Sequence, residues 1–303
     1  MKTLGIIDIG SNSIKLIITI INNNSYKEIF HKKFQLRLYN FTDKENKTLS
    51  SEGFKNLFDI IFLFKKLCSH YNCDEVVAVA TESLRQIKNS SEIVNSINDN
   101  LGLKIKILSP MEECYLGYIS SIPKDIDDYI HLDMGGGSVE IGLVQNKKLI
   151  EYTSIPIGAF KMTNRFHITE KISTDDIYRI ERYVFNKLNN ISWINKYKHL
   201  PAVVIGGSIK TIGRIHQNET NSSNNIHGYE LYSEDIEYLL NKINKLSLEE
   251  MIKVTGATRT RCDILLGALV TLNSIVTYLS SSKVVISKYT IREGILQYFM
   301  NNN

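Results

Sequence analysis

The sequence predicts an α/β protein built from two related halves. Three observations carry that prediction. Helix-spaced and strand-like apolar segments alternate after an opening run of strands. A unit of strand, acidic residue, glycine turn and strand occurs as Asp8-Ile9-Gly10-Ser11 and again, 125 residues on, as Asp133-Met134-Gly135-Gly136. The 303 residues are also about twice the ~150-residue prior for one domain. The boundary is expected within residues 122–128, dividing the chain into 1–125 and 126–303.

Leu4 to Ile7, Ile14 to Ile21 and Tyr26 to Leu38 read as three strands of a β-meander, separated by a Gly-Ser-Asn-Ser break and an Asn-rich one. Phe54, Leu57, Phe58, Ile61, Phe64 and Leu67 recur at helical spacing and predict a helix over 51–68, and Val76 to Ala80 predicts a buried strand. A helical stretch near 84–100 and a strand from Lys104 to Leu108 follow. Ser109-Pro110-Met111-Glu112 combines a capping box with proline at the first helical position, so a helix should begin there. In the second half, strands are expected at Tyr129 to Leu132, Val139 to Val144, Ala202 to Ile205 and Val284 to Ile286. Helices are expected at 173–188, 233–245, 260–279 and from about Arg292, with an exposed Asn/Ser-rich loop over 216–227. Asn301 to Asn303 should fray.

Hydrophobic residues at 43% and charged residues at 22% exclude a disordered, collagenous or repeat-tract chain. The net charge of +4 is too mild and too evenly spread for a nucleic-acid footprint and suits a small anionic substrate. Cys68, Cys73, Cys114 and Cys262 show no CxxC or zinc-like spacing, as expected for free thiols in a reducing cytoplasm. The N-terminus lacks the features of a signal peptide, which predicts a cytoplasmic protein. Residues 264–282 carry no charge, but their Thr and Ser content predicts a buried core helix rather than a membrane span.

Three glycine turns follow apolar strands: Gly10, Ser11, Asn12 and Ser13; Gly135, Gly136, Gly137 and Ser138; and Gly207 with Ser208. Backbone without Cβ can approach phosphate and aim N–H groups at its oxygens, though a plain structural loop stays equally open on spacing alone. Asp8, Asp133 and Glu140 stand where a hard divalent cation would sit, with turn capping as the alternative. Oxygen donors favour magnesium over zinc. With Ser109 as N-cap, Glu112 folds back on its N–H, and Glu113, about 100° around the helix, is the free carboxylate that could deprotonate an attacking water. Alternatively both acids only complement the positive helix end. Arg85, Lys15, Lys210, Arg261 and Arg292 are isolated bases near turns or helix starts that could clamp phosphate. No HxxxH, His-Asp or Gly-x-Ser-x-Gly pattern supports a zincin, His-Asp hydrolase or serine hydrolase.

Taken in order, Asp8-Ile9-Gly10-Ser11-Asn12-Ser13, Ala80-Thr81-Glu82-Ser83-Leu84-Arg85, Ser109-Pro110-Met111-Glu112-Glu113, Leu132-Asp133-Met134-Gly135-Gly136-Gly137-Ser138-Val139-Glu140, Ile157-Gly158-Ala159 and Ile291-Arg292-Glu293-Gly294 resemble the exopolyphosphatase/guanosine pentaphosphate phosphohydrolase family. The resemblance covers nearly the whole chain. It implies two ribonuclease-H-like domains of the actin-like ATPase superfamily around an interdomain cleft. It also implies Glu113 as the catalytic glutamate, Asp133 and Glu140 as metal-associated acids joined here by Asp8, and Arg85 with the three glycine turns as phosphate contacts, to which Lys15 and Lys210 are added. The implied reaction is release of the terminal phosphate of polyphosphate with Mg²⁺ or Mn²⁺, a monovalent cation being an open addition.

The pattern departs from the family at Pro110 (usually glycine), Cys114 (usually alanine), Val139 and Ser208 (both usually threonine), and the chain resembles the short members without a helical His-Asp-type domain. Guanosine pentaphosphate hydrolysis, a non-catalytic polyphosphate or alarmone sensor and an ATP-dependent kinase of the same superfamily are the alternatives. A homodimer is left open, and neither nucleic acid nor membrane is expected as a partner.

Overall fold

A computed structural model describes residues 1–22, 25–169, 171–222 and 225–302. It holds two compact units, one formed by Met1–Glu113 with the last residues from Ile295, the other by Cys114–Gly294.

In the first unit β1 (Lys2–Ile9), β2 (Ile14–Asn22) and β3 (Ser25–Phe34) form the expected antiparallel meander. α1 (Ser51–His70) leads to β4 (Glu75–Ala80), which pairs parallel with β1. The short α2 (Glu82–Arg85) and α3 (Ser90–Leu101) lead to β5 (Ile105–Ile107), giving the sheet order β3-β2-β1-β4-β5. α1 starts where the Ser50 hydroxyl accepts the Gly53 N–H at 3.2 Å, and it buries Leu57, Ile61 and Phe64 against Ile7, Ile9, Ile14 and Leu16 of the sheet. The continuous helix expected near 84–100 is instead two helices, because residues 86–89 are held elsewhere. Lys88 N–H bonds the Lys47 carbonyl at 2.9 Å, and the Asn89 amide bonds both backbone groups of Leu49, at 2.9 and 3.2 Å.

α4 (Pro110–Ser121) opens at the predicted cap. The second unit continues with β6 (Tyr129–Met134), β7 (Val139–Gln145), β8 (Lys148–Ile155), α5 (Ala159–Arg165), α6 (Thr174–Asn189), β9 (Ala202–Ile205) and α7 (Gly207–Glu219). It ends with β10 (Tyr229–Tyr232), α8 (Ser233–Ile243), α9 (Leu248–Lys253), α10 (Cys262–Leu279), β11 (Lys283–Ile286) and α11 (Ile291–Asn302). The sheet order is β10-β11-β9-β6-β7-β8, with β6-β7-β8 an antiparallel meander and β6, β9 and β11 parallel. The strand skeleton of the first unit is thus repeated with one strand added at its edge. α10 is apolar nearly all round and buried within this unit, which explains the uncharged stretch as a core helix.

The compact units divide inside α4, between Glu113 and Cys114, ahead of the expected 122–128 segment. Residues of α4 beyond that point are built into the second sheet. A Cβ on Gly117 would stand 2.9 Å from His131 Nε2 and 3.1 Å from Ile205 Cδ1, and Ser121 Oγ lies 3.3 Å from His131 Nδ1. The expected loop over 216–227 begins later, because α7 runs to Glu219, with His216 anchored to the Tyr229 hydroxyl at 2.8 Å; residues 223–224 lie outside the described ones. α11 likewise continues through Asn302, where fraying was expected, and Asn303 lies outside the described residues.

His131 is fully buried under α4, and desolvation pushes its imidazole from 6.5 down to about 3. Between those values the unfolded chain binds a proton that the folded one does not, so stability falls as pH drops below 6.5. Urea unfolding at pH 7 and pH 5 should show wild type losing about 2 kcal/mol more than His131→Leu over that interval. Parallel losses in the two proteins would contradict the assignment.

Candidate active site

In the first unit the chain reverses between β1 and β2 through Gly10–Ser13. Gly10 N–H bonds back to the Ser13 carbonyl at 3.2 Å, and Ser83 Oγ fixes the end of β1 by donating to the Ile9 carbonyl at 2.9 Å. Asn12 Oδ1 accepts from Arg37 Nε at 2.6 Å, and Ser11 Oγ donates to Glu82 Oε2 at 3.4 Å. The Ser11, Asn12 and Ser13 N–H groups make no hydrogen bond among the described residues. Asp8 and Lys15 stand directly opposite each other on β1 and β2, joined at 3.1 Å, so Lys15 balances the carboxylate that the sequence had marked for a metal.

The start of α4 separates its two acids as predicted. Glu112 accepts the Ser109 N–H at 2.9 Å while Ser109 Oγ accepts the Glu112 N–H at 3.2 Å. Lys106, 2.5 Å from the carboxylate, and the Ser109 bonds hold Glu112 below the usual carboxylate range. Glu113 is 5% exposed and, contrary to the expected free carboxylate, accepts Arg85 Nη1 at 2.8 Å. The same nitrogen donates to the Leu108 carbonyl at 2.7 Å, so the backbone ahead of α4 fixes the arginine that faces the acid. Arg85 and Glu113, far apart in sequence, are therefore brought together.

The second unit repeats the turn in detail: Gly135 N–H bonds back to the Ser138 carbonyl at 3.1 Å. Its carbonyls are taken by α5, since Ala159 N–H bonds Gly135, Lys161 N–H bonds Gly136 and Gly158 N–H bonds Gly137, at 3.0, 3.0 and 3.2 Å. With the carbonyls anchored, the Gly136, Gly137 and Ser138 N–H groups carry no hydrogen bond among the described residues. Such a run of amides with no Cβ in the way is a nest for an anion. Gly158, part of the Ile157-Gly158-Ala159 motif, has a packing reason: a Cβ there would stand 2.5 Å from the Gly136 backbone and 2.6 Å from Gly137.

On the adjacent parallel strand, Gly206 takes φ 138°, where a Cβ would collide with the Met134 carbonyl, and α7 begins at Gly207 and Ser208. The Arg261 guanidinium lies directly on Gly207, filling the space of a Cβ and adding positive charge to the helix N-terminus. Lys210 Nζ instead donates to the Lys288 carbonyl at 2.9 Å. Val139 is buried with Ile141, Leu132 and Met134 in the core, so its side chain does not share the face of Glu140, and the threonine hydroxyl it replaces would point into that core.

Asp133 and Glu140 occupy directly opposed positions of β6 and β7, on one sheet face. Glu140 is fully buried, and its Oε1 accepts from Ser138 and Ser154 hydroxyls at 2.6 and 2.7 Å. Carboxyl groups so placed can share a cation, and an all-oxygen pair suits magnesium or manganese. Among the described residues no group of three or more His, Cys, Asp or Glu converges. The pair fits an ion that takes one or two carboxylates and completes its shell with water and phosphate oxygens.

A model of the Ppx/GppA phosphatase family matches residues 17–303. The bifunctional 3-dehydroquinate synthase/phosphatase of Fusobacterium nucleatum is 25% identical over 295 residues, covering 93% of this chain and 44% of that protein. Exopolyphosphatase 1 of Mycobacterium leprae is 22% identical over 300 residues, covering 97% of this chain and 88% of that one. The crystal structure of the Aquifex aeolicus Ppx/GppA family member is similar with TM-score 0.83 at 23% identity, covering 100% of this chain and 99% of that one. An exopolyphosphatase from Cytophaga hutchinsonii gives TM-score 0.89 at 19% identity, with coverages of 99% and 98%. The fold is accordingly that of these solved structures, with two mixed sheets and helices packed on them.

Because Gly158 touches the turn backbone, Gly158→Ala should displace the 135–138 turn. The expected results are about 1–3 kcal/mol lost in urea unfolding and pyrophosphate affinity lowered about tenfold or more in calorimetry, tenfold being 1.4 kcal/mol. Unchanged affinity in a folded variant would remove this turn from anion binding.

Proposed function

We propose, from the premise that this chain belongs to the Ppx/GppA phosphatase family, that it is an exopolyphosphatase releasing the terminal phosphate of inorganic polyphosphate. The observation that carries the proposal is the turn in the second unit, whose Gly136, Gly137 and Ser138 amides carry no hydrogen bond among the described residues while its carbonyls are pinned by α5. A polyanion needs donors that neither fold away nor require a counter-charge of their own, and backbone N–H groups in a fixed turn meet that need. The Gly10–Ser13 turn supplies the same kind of donor in the first unit.

Glu113 is the buried carboxylate assigned to water. It accepts a proton from the water that attacks phosphorus, while the remaining polyphosphate leaves. Arg85 has two tasks. It offsets the charge of Glu113 beside an anionic substrate, and through Leu108 it fixes the direction in which the carboxylate faces. Asp133 and Glu140 would hold a magnesium or manganese ion, which when bound supplies charge neutralisation for phosphate oxygens.

Phosphate release from long-chain polyphosphate, with guanosine pentaphosphate and ATP as parallel substrates, tests the assignment. Wild type should release phosphate from polyphosphate with Mg²⁺ and not with chelator. Glu113→Gln should lower the rate by about 10²–10⁴-fold, with polyphosphate binding nearly unchanged. Equal rates for wild type and variant would remove Glu113 from catalysis, and preferential turnover of guanosine pentaphosphate would reassign the substrate.

A further inference from the structure

In the first unit α1 ends at the left-handed residue Asn72, φ 50°. The bonds that follow are those of a Schellman cap: Cys73 N–H reaches back to the Cys68 carbonyl at 2.9 Å, and Asn72 N–H to that of Ser69 at 3.1 Å. This geometry sets the third-last helical side chain against the second one beyond the cap, a place where apolar contact is usual. Here both are cysteines. Their sulfurs converge on Gly5 of β1, where a Cβ would stand 2.7 Å from Cys68 Sγ and 3.5 Å from Cys73 Sγ, so the glycine leaves the space that the two thiols fill. Burial, reinforced by the neighbouring Cys73, pushes Cys68 up to about 12, and burial also raises Cys73. Cys68 is buried, whereas Cys73 is half-buried, and both line a cavity of about 390 Å³ together with Lys65 and Lys104.

We propose that Cys68 and Cys73 form a reversible disulfide clasp, an oxidation site reached through this cavity by a small-molecule disulfide. Cys73, as thiolate, attacks one sulfur of that molecule, and the other half leaves as a thiolate that takes up the proton Cys73 lost. Cys68 then gives up its proton and attacks the Cys73 sulfur, and the second half of the small disulfide leaves as a thiol. Two protein thiols are oxidised to one disulfide, and one small disulfide is reduced to two thiols. The order follows exposure, with Cys73 reacting first and Cys68 resolving. The lysines beside the cavity suit an oxidant carrying carboxylates, such as a peptide disulfide. The product ties the last turn of α1 to the segment entering β4, a closure of so few residues that it adds little strain if the sulfurs already meet.

The test is incubation of reduced, folded protein with excess oxidised glutathione, followed by acid quench, intact mass and peptide mapping. The expected result is loss of two hydrogens with no retained glutathione, the link confined to Cys68–Cys73, and Cys114 and Cys262 still alkylatable after unfolding. Cys68→Ser should retain glutathione on Cys73, and Cys73→Ser should leave Cys68 unmodified. A stable glutathione adduct on wild-type Cys73, a disulfide of other pairing, or full recovery of both thiols would overturn the proposal. Should either variant fail to fold, the wild-type map decides alone, because it needs no substitution.

Discussion

In each unit the chain must reverse between two paired strands within four residues, and it does so by turning one glycine N–H back onto a serine carbonyl: Gly10 to Ser13, and Gly135 to Ser138. That bond closes the turn from inside. The amides that follow the first glycine then make no hydrogen bond among the described residues, although Asn12, Ser13, Gly137 and Ser138 are buried, and an anion would satisfy them. In the second unit the condition is enforced from behind by α5, whose first N–H groups hold the turn carbonyls, and by Gly158, which alone can come that close. Strand pairing, turn and helix start are thus one cooperative arrangement rather than three separate elements.

The duplicated turn has been put to two uses. Across from the first acid, Asp8, stands Lys15, with which it forms an ion pair; across from the equivalent acid, Asp133, stands a second acid, Glu140. A single cross-strand position thus sets a lysine beside one acid and a second carboxylate beside the other. Glu113, by contrast, depends on long-range structure: its partner Arg85 lies on α2, and the carbonyl that steadies Arg85 belongs to Leu108.

Much of this was legible in local sequence. The capping box at Ser109 and Pro110 set the start of α4 and separated Glu112 from Glu113, because both effects act within one helical turn. The paired Asp-x-Gly motifs likewise announced two related sheets. What local pattern could not show were contacts made by chain return. The Arg85–Glu113 pair, the Asn89 clamp on Leu49 that breaks the helix after α2, and the packing of α4 on His131 all join residues distant in sequence. Short elements were also missed: α5 and α9 span only 7 and 6 residues, too few to display a period, and β8 and β10 are edge strands whose solvent-facing residues dilute the apolar signal.

The central claim is that turn amides are what the polyanion binds, and it is read most directly at those amides. Nitrogen-15-labelled protein titrated with tripolyphosphate should show the Gly136, Gly137 and Ser138 backbone resonances shifting together and saturating with one midpoint. Shifts confined to surface lysines, with these three amides unmoved while phosphate is being released, would contradict it.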